Sequence, residues 1–219
     1  VECKGFLFDL DGTLVDSLPA VERAWCHWAD RFGIAHDEVL GFIHGKQAIT
    51  SLRHFMDGHS EDEIMAEFRR LEQIEASDTE GIVALPGALA LLNYLNDARI
   101  PWAIVTSGSM PVASARRSAT GLPEPEVFVT AERVKRGKPE PDAYLLGAEL
   151  LGLAPHECAV VEDAPAGILS GLAAGCPVIA ANPPANTPRL DEAALVVKTL
   201  NELALEKGAD GWVRVTQKP

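Results

Sequence analysis

Two aspartates, Asp9 and Asp11, stand two residues apart where the apolar run GFLFDL, beginning at Gly5, meets Gly12. On an extended chain, side chains at i and i+2 point to the same side, about 6.6 Å apart along the backbone. Two carboxylates so placed can flank one phosphorus atom, one attacking it while the other handles the proton of a leaving alcohol. Gly12 permits a tight turn with no side chain in the way, and backbone N–H groups in such a turn can meet phosphate oxygens. An isolated Asp-x-Asp pair also serves as ordinary turn capping. Charges inside a buried run are rare, however, and the whole string FLFDLDGTLVDS points to chemistry.

Those carboxylates need elements to hold them. The runs GFLFDL, PWAIVTS (from Pro101), CAVVED (from Cys158) and PVIAA (from Pro177) read as buried strands, and EVFVTA (from Glu126) is a fifth candidate. Their near-continuous apolar character suits a parallel sheet covered on both faces. Helices are predicted between them, one opened by Pro86 and carrying Leu89, Leu92 and Leu95, another from Asp142 to Gly152. Gly167, Gly171 and Gly175 recur every fourth residue, which would put all three near one helix face and let it lie close against a sheet. Alternating strand and helix predicts a doubly wound α/β fold.

The stretch from Val15 to Ser77 breaks this rhythm and contains no convincing strand. Val21, Ala24, Trp25, Trp28, Ala29 and Phe32 follow the helical i, i+3, i+4, i+7 pattern and end before Gly33, and Ile64, Phe68 and Leu71 mark a second helix. The expected organisation is therefore an α/β core from residues 1–14 and 82–219 with a helical cap, 15–81, inserted after the first strand. Trp25, Trp28 and Phe32 are expected to form cap core. GADG, between ALEK and WVRV near the end, reads as a hairpin turn.

DLDGTLVDS resembles the signature of the haloacid dehalogenase superfamily, phosphatase branch, and the remaining motifs of that family follow in order: VTSGS with Thr106 and Ser107, GKPEPDAY with Lys138, and VVEDAPAG with Glu162 and Asp163. The resemblance spans nearly the whole chain. It implies that Asp9 attacks phosphorus and that Asp11 protonates the departing alkoxide, then takes a proton from the water that hydrolyses the aspartyl-phosphate. It implies a phosphate held by the Leu10 backbone, the Thr106 hydroxyl, the Ser107 N–H and the Lys138 ammonium, with Pro139 starting a helix behind that lysine. Mg²⁺ is implied on the Asp9 and Asp163 carboxylates and the Asp11 carbonyl, a hard-oxygen set. Glu162 is either in the outer shell or joined to the metal through water. Asp163 or Glu162 alone would read as a helix cap before Pro165.

An all-helical insertion at this point resembles the C1-type cap of the family, which closes over a small-molecule site. Asp16-Ser17-Leu18-Pro19 would be one hinge and residues 77–86 the other. His44-Gly45-Lys46-Gln47 sits where such caps dip a specificity loop into the site, with Lys46 adding positive charge and Gln47 reaching sugar hydroxyls; a polar turn between helices is the alternative. Within the family the likeness, including HGKQA, is to bacterial sugar-phosphate phosphatases of the hexitol type. Phosphorylated hexitols and hexoses are thus the expected substrates. Two rivals stand beside this reading. One is a mutase of the β-phosphoglucomutase type, which has a histidine in the first cap helix where this chain has Val21. The other is a non-catalytic phosphometabolite sensor on the same fold.

Bulk properties set the outer limits. The 219 residues carry a net charge of −13, with no basic run, so nucleic acid is excluded as a partner. An acidic chain binds phosphate only where a metal and a few cations reverse the field locally. No apolar stretch of roughly 18 residues could span a bilayer and no signal peptide is evident. Cys3, Cys26, Cys158 and Cys176 form no Cys-x-x-Cys pair and read as reduced thiols. A cytoplasmic protein with no obligate protein partner is expected.

Overall fold

In the computed structural model, which describes residues 1–219, six parallel strands form the central sheet. The chain begins with β1 (Glu2–Cys3), β2 (Gly5–Phe8) and β3 (Val15–Asp16). Four helices follow: α1 (Leu18–Phe32), α2 (His36–Ile43), α3 (Ala48–Phe55) and α4 (Glu61–Ser77). Then come β4 (Val83–Ala84), α5 (Ala88–Asp97), β5 (Trp102–Val105), α6 (Met110–Thr120), β6 (Val127–Val129) and α7 (Asp142–Leu151). The remainder is β7 (Cys158–Glu162), α8 (Pro165–Ala173), β8 (Val178–Ala181), β9 (Leu195–Val197), β10 (Leu203–Lys207) and β11 (Val213–Gln217).

The sheet order is β6-β5-β2-β7-β8-β9, so β2 lies in the middle with β5 on one side and β7 on the other. Successive connections run outward through β5 and β6, then return across β2 to β7, β8 and β9. The order therefore reverses between β2 and β7, and a ligand crevice opens at the carboxyl ends of strands flanking such a reversal. The register levels those ends, with Phe8 opposite both Ile104 and Val161.

Both faces of the sheet are covered, as the apolar runs require. Phe6, Phe8, Ile104, Ala159 and Val161 pack into one cluster with Leu92 and Leu95 of α5. The alternate residues Leu7, Ala103, Val105 and Val160 pack on the other face with Tyr144 of α7 and Ile168 of α8. Period-two alternation across a pleated sheet produces this division.

The helices α1–α4 form their own apolar cluster around Trp25, Trp28, Val39, Leu52 and Met56. Trp28 stacks on Phe32 at 4.5 Å between ring centroids, so these aromatics do build the interior of the helical lobe. Gly33 ends α1 because it adopts φ 66°, a left-handed conformation that lets its N–H reach back to the last turn. Ser60 starts α4 by accepting the Glu63 N–H.

Several expectations change. The connection into the helical lobe is not wholly helical: β3 pairs antiparallel with β4, Val15 opposite Ala84 and Asp16 opposite Val83, making a two-stranded ribbon too short to show periodicity. Gly175 lies beyond α8 at φ 82°, so only Gly167 and Gly171 share its sheet-facing side. Pro139 sits in a turn after a cis Lys138–Pro139 peptide, and α7 begins only at Asp142. The terminal hairpin β10–β11 forms as expected and recruits β1 as a third strand. No helix is long and apolar enough to cross a membrane.

Candidate active site

Asp9 follows the last residue of β2, at the reversal point, and only 7% of it is exposed. Its Oδ1 accepts from Lys138 Nζ at 3.0 Å. Lys138 comes from the turn before α7, and the same ammonium also donates to Val105 O at 2.9 Å and Glu162 Oε1 at 2.7 Å. Burial works against a charge on this lysine, but Asp9 and Glu162 outweigh it and hold its pKa above the usual value.

Glu162, the last residue of β7, has no exposed surface, and protein donors occupy both of its oxygens. Oε1 takes Lys138 and the Tyr144 hydroxyl at 2.6 Å, while Oε2 takes the Asp163 and Ala164 N–H groups. A Cβ on Gly167 would collide with this carboxylate, which explains why α8 needs glycine where it passes β7. The Asp163 carboxylate stands apart from that network. Its Oδ1 accepts from Thr13 Oγ1 at 2.9 Å, and the same hydroxyl lies 3.4 Å from Asp9 Oδ2. Gly12, at φ 85°, leaves room for Asp163, since a Cβ there would run into its carboxylate.

Carboxylate oxygens of Asp9, Glu162 and Asp163 all lie within 4.8 Å of one another, a cluster of the kind that holds Mg²⁺. Burial and this crowding push Asp9 and Asp163 toward the neutral form. Burial and then Glu162 raise Asp9 well above the ordinary carboxylate range, and the same two causes push Asp163 up to about 6. A divalent cation is the charge this cluster lacks, and its donors are hard oxygens, so the residues present fit Mg²⁺. Glu162, with its lone pairs already engaged, is the member least able to ligate it. The Asp11 carbonyl accepts no hydrogen bond within the protein and remains open to a ligand.

Three N–H groups at the same end of the sheet, those of Leu10, Asp11 and Ser107, donate to nothing in the protein. Thr106, at the end of β5, is almost fully buried, and its Oγ1 accepts from the Gly108 N–H at 3.1 Å. Asp11 points elsewhere than Asp9: its Oδ1 accepts from Ser17 Oγ at 2.6 Å and from Arg116 Nη1 at 3.0 Å.

A cavity of about 840 Å³ lies between this edge and the helical lobe, with Asp9, Asp11, Thr106, Ser107 and Asp163 on its floor. That volume suits a small molecule. From the lobe, the His44–Gln47 loop descends onto the floor. Gly45 O accepts from Ser107 Oγ at 3.1 Å, and the Gln47 side chain packs on Gly137. Lys46 also lines the cavity, but its Nζ donates to Phe42 O at 2.8 Å and sits 3.8 Å from the Phe42 ring centre.

The structure thus gathers Asp9, Asp11, Leu10, Thr106, Ser107, Lys138, Glu162 and Asp163 at one sheet edge, with Lys46 and Gln47 facing them. Thr13, Tyr144, Arg116 and Glu75 join the site without having been singled out. Thr13 lies inside the DLDGT string, four residues after Asp9, and could have been found there. Glu75 lies one turn beyond Leu71 on the helix marked by Ile64, Phe68 and Leu71, and Arg116 lies on α6, which no apolar pattern marked.

This fold and floor define the class. The sequence model of the haloacid dehalogenase-like hydrolases matches residues 3–175, and the chain belongs to that family. Among curated relatives, Hexitol phosphatase A of Escherichia coli (strain K12) is 74% identical over 213 residues, covering 97% of this chain and 99% of that protein. Beta-phosphoglucomutase of Bacillus subtilis (strain 168) is 30% identical, covering 95% of each chain. Among solved structures, a hydrolase from Pseudomonas syringae superposes with a TM-score of 0.77 at 27% identity, covering 90% of this chain and 94% of that one.

Proposed function

We propose that this chain is a Mg²⁺-dependent phosphatase that hydrolyses phosphate monoesters of hexitols and hexoses through an aspartyl-phosphate on Asp9. The observation that carries the reading is the setting of Asp9: one carboxylate, buried at the sheet reversal, between the Lys138 ammonium and Asp163, with three unused N–H groups beside it. The similarity to Hexitol phosphatase A supports the substrate class.

In this reading the Leu10 and Ser107 N–H groups and the Thr106 hydroxyl hold the phosphoryl oxygens, and Lys138 turns to them one of the three N–H donors that otherwise reach Asp9, Val105 O and Glu162. Mg²⁺ would be held by the Asp9 and Asp163 carboxylates and the Asp11 carbonyl; when bound it supplies the positive charge that keeps both acids ionised and shares the phosphoryl charge. An Asp9 oxygen bonds to phosphorus as the bond to the sugar oxygen breaks, and Asp11 delivers its proton to that alkoxide. Water then attacks phosphorus, Asp11 takes its proton, and the Asp9–phosphorus bond breaks to release inorganic phosphate. Residues 15–81 would act as the cap over a core of 1–14 and 82–219, with Lys46 and Gln47 meeting the polyol hydroxyls. Buried, unpaired Cys3, Cys158 and Cys176 fit a cytoplasmic setting, with a small phosphorylated metabolite as the only partner needed.

The mutase alternative draws on the similarity to Beta-phosphoglucomutase. Val21, on the first helix of the lobe, lines the cavity and offers no proton-transfer group, which favours water as the acceptor. Phosphate release from a panel of hexitol and hexose phosphates with Mg²⁺, and with EDTA as control, tests the proposal. Isomerised sugar phosphate without free phosphate would replace it with the mutase, and binding without turnover would replace it with a sensor.

A further inference from the structure

Arg116, on α6, is 4% exposed, and its guanidinium spans two carboxylates that belong to different parts of the fold. Nη1 donates to Asp11 Oδ1 at 3.0 Å and Nη2 donates to Glu75 Oε2 at 2.6 Å. Glu75 lies near the end of α4 in the helical lobe and is itself buried. The third guanidinium nitrogen, Arg116 Nε, is buried without an acceptor. An arginine placed only to stabilise packing would satisfy that donor or be replaced by an apolar residue, because a buried charge with an unmet N–H is costly. The planar fork instead fixes the positions of its two acceptors relative to one another.

Its grip on Asp11 is one-sided. Ser17 and Arg116 both donate to Oδ1, whereas Oδ2 accepts no hydrogen bond and faces the Gly108 side of the cavity floor, beside Thr106. We propose that Arg116 is a positioning residue: it pins one oxygen of Asp11 so that the other faces the phosphoryl group, and Glu75 makes that grip depend on α4 being seated against the core. The inference rests on the reading of Asp11 as the group that exchanges protons with the leaving alcohol and with water. Its consequence is that the helical lobe contributes to chemistry through Glu75, from behind Asp11, as well as through the loop that meets the substrate. Withdrawal of α4 would leave the arginine fork anchored on Asp11 alone, with Ser17 as the remaining fixed donor to that carboxylate.

Kinetics with two leaving groups test this. A hexitol phosphate expels an alkoxide that needs a proton; 4-nitrophenyl phosphate expels a phenolate that does not. Misplacing a reacting group by about 1 Å costs on the order of 100-fold in rate, so Arg116→Ala should lower kcat for the hexitol phosphate by about that factor with KM little changed. The first turnover of 4-nitrophenyl phosphate should fall far less, giving a burst followed by slow hydrolysis. Glu75→Gln should show the same contrast at smaller size, and Arg116→Ala with Glu75→Gln should be no worse than Arg116→Ala alone. Arg116→Lys should recover part of the loss. If Arg116→Ala fails to fold, Glu75→Gln carries the same comparison. Equal losses with both leaving groups, or no loss in kcat, would overturn the inference. Asp11→Asn separates the two levels: full turnover in that variant removes the underlying reading, whereas an inactive Asp11→Asn beside a fully active Arg116→Ala removes only the positioning role.

Discussion

Lys138 lies closer to Glu162, at 2.7 Å, than to Asp9, at 3.0 Å. Asp9 and Glu162 together are the counterions that let an ammonium survive at the base of the site, and Glu162 has no exposed surface of its own. Removing one partner of such a buried pair typically costs about 3–5 kcal/mol, so Glu162→Ala should lower unfolding stability by that amount in denaturant titrations. Asp163→Asn should behave differently, raising the Mg²⁺ needed for half-maximal activity on the order of 100-fold with a smaller effect on stability. The opposite pattern, with Glu162 controlling metal affinity, would make Glu162 a ligand.

Thr13 stands between the two carboxylates that face the cation site and donates its hydroxyl to Asp163. Losing a hydrogen bond that orients a metal ligand usually weakens binding 10-fold or more. Thr13→Val should therefore need roughly 10-fold more Mg²⁺ for half-activation, with kcat at saturating Mg²⁺ close to that of the parent. An unchanged Mg²⁺ titration would show that the hydroxyl does not orient Asp163.

Proton and metal should compete at this cluster. Asp9 and Asp163 are both raised in the folded protein, Asp163 to about 6, above the value near 3.8 of a free aspartate. An acid raised on folding binds its proton more tightly in the native state. Its contribution to stability is therefore fully present below the unfolded pKa and is lost as pH rises through the folded one. Without metal, thermal stability attributable to Asp163 should decline between about pH 4 and 6, and Asp9 adds a loss in the same direction. Adding Mg²⁺ should reverse that decline, so the metal-induced rise in Tm grows with pH across this window. A metal-induced shift independent of pH there would contradict the assignment, and Asp163→Asn provides the control.

Asp9→Asn should reduce turnover by at least about 10³-fold, because the amide cannot attack phosphorus. Mass spectrometry of acid-quenched parent enzyme during turnover should find one added phosphoryl group on the peptide containing Asp9. Normal-rate turnover by Asp9→Asn would remove this residue from the reaction.

Apart from Lys138, marked by its GKPEPDAY string, and the lobe residues Lys46 and Gln47, the parts of the site legible in the sequence were those on or just beyond strands. A buried run that ends in Asp9, or in Glu162 and Asp163, announces both a strand and an anomaly, and the level register of β2, β5 and β7 then brings the ends together without further information. The links between them were hidden. Tyr144 reads as an apolar helix residue until its hydroxyl is found on Glu162. Arg116 and Glu75 are 41 residues apart and acquire meaning only when α4 and α6 meet. The ribbon of β3 and β4 was missed for a related reason: two residues carry no period, and their partners are distant in sequence. Gly167 and Gly171 did signal a helix close to the sheet, but only the three-dimensional arrangement identifies Glu162 as the group that makes the Gly167 position tight.

That ribbon has an evolutionary consequence. Outgoing and returning segments run side by side, Val15 against Ala84 and Asp16 against Val83, so everything between them is grafted through a single narrow gateway. An exchanged segment would therefore bring a new loop to the cavity at this one junction, but would keep the grip on Asp11 only if it carried counterparts of Ser17 and Glu75.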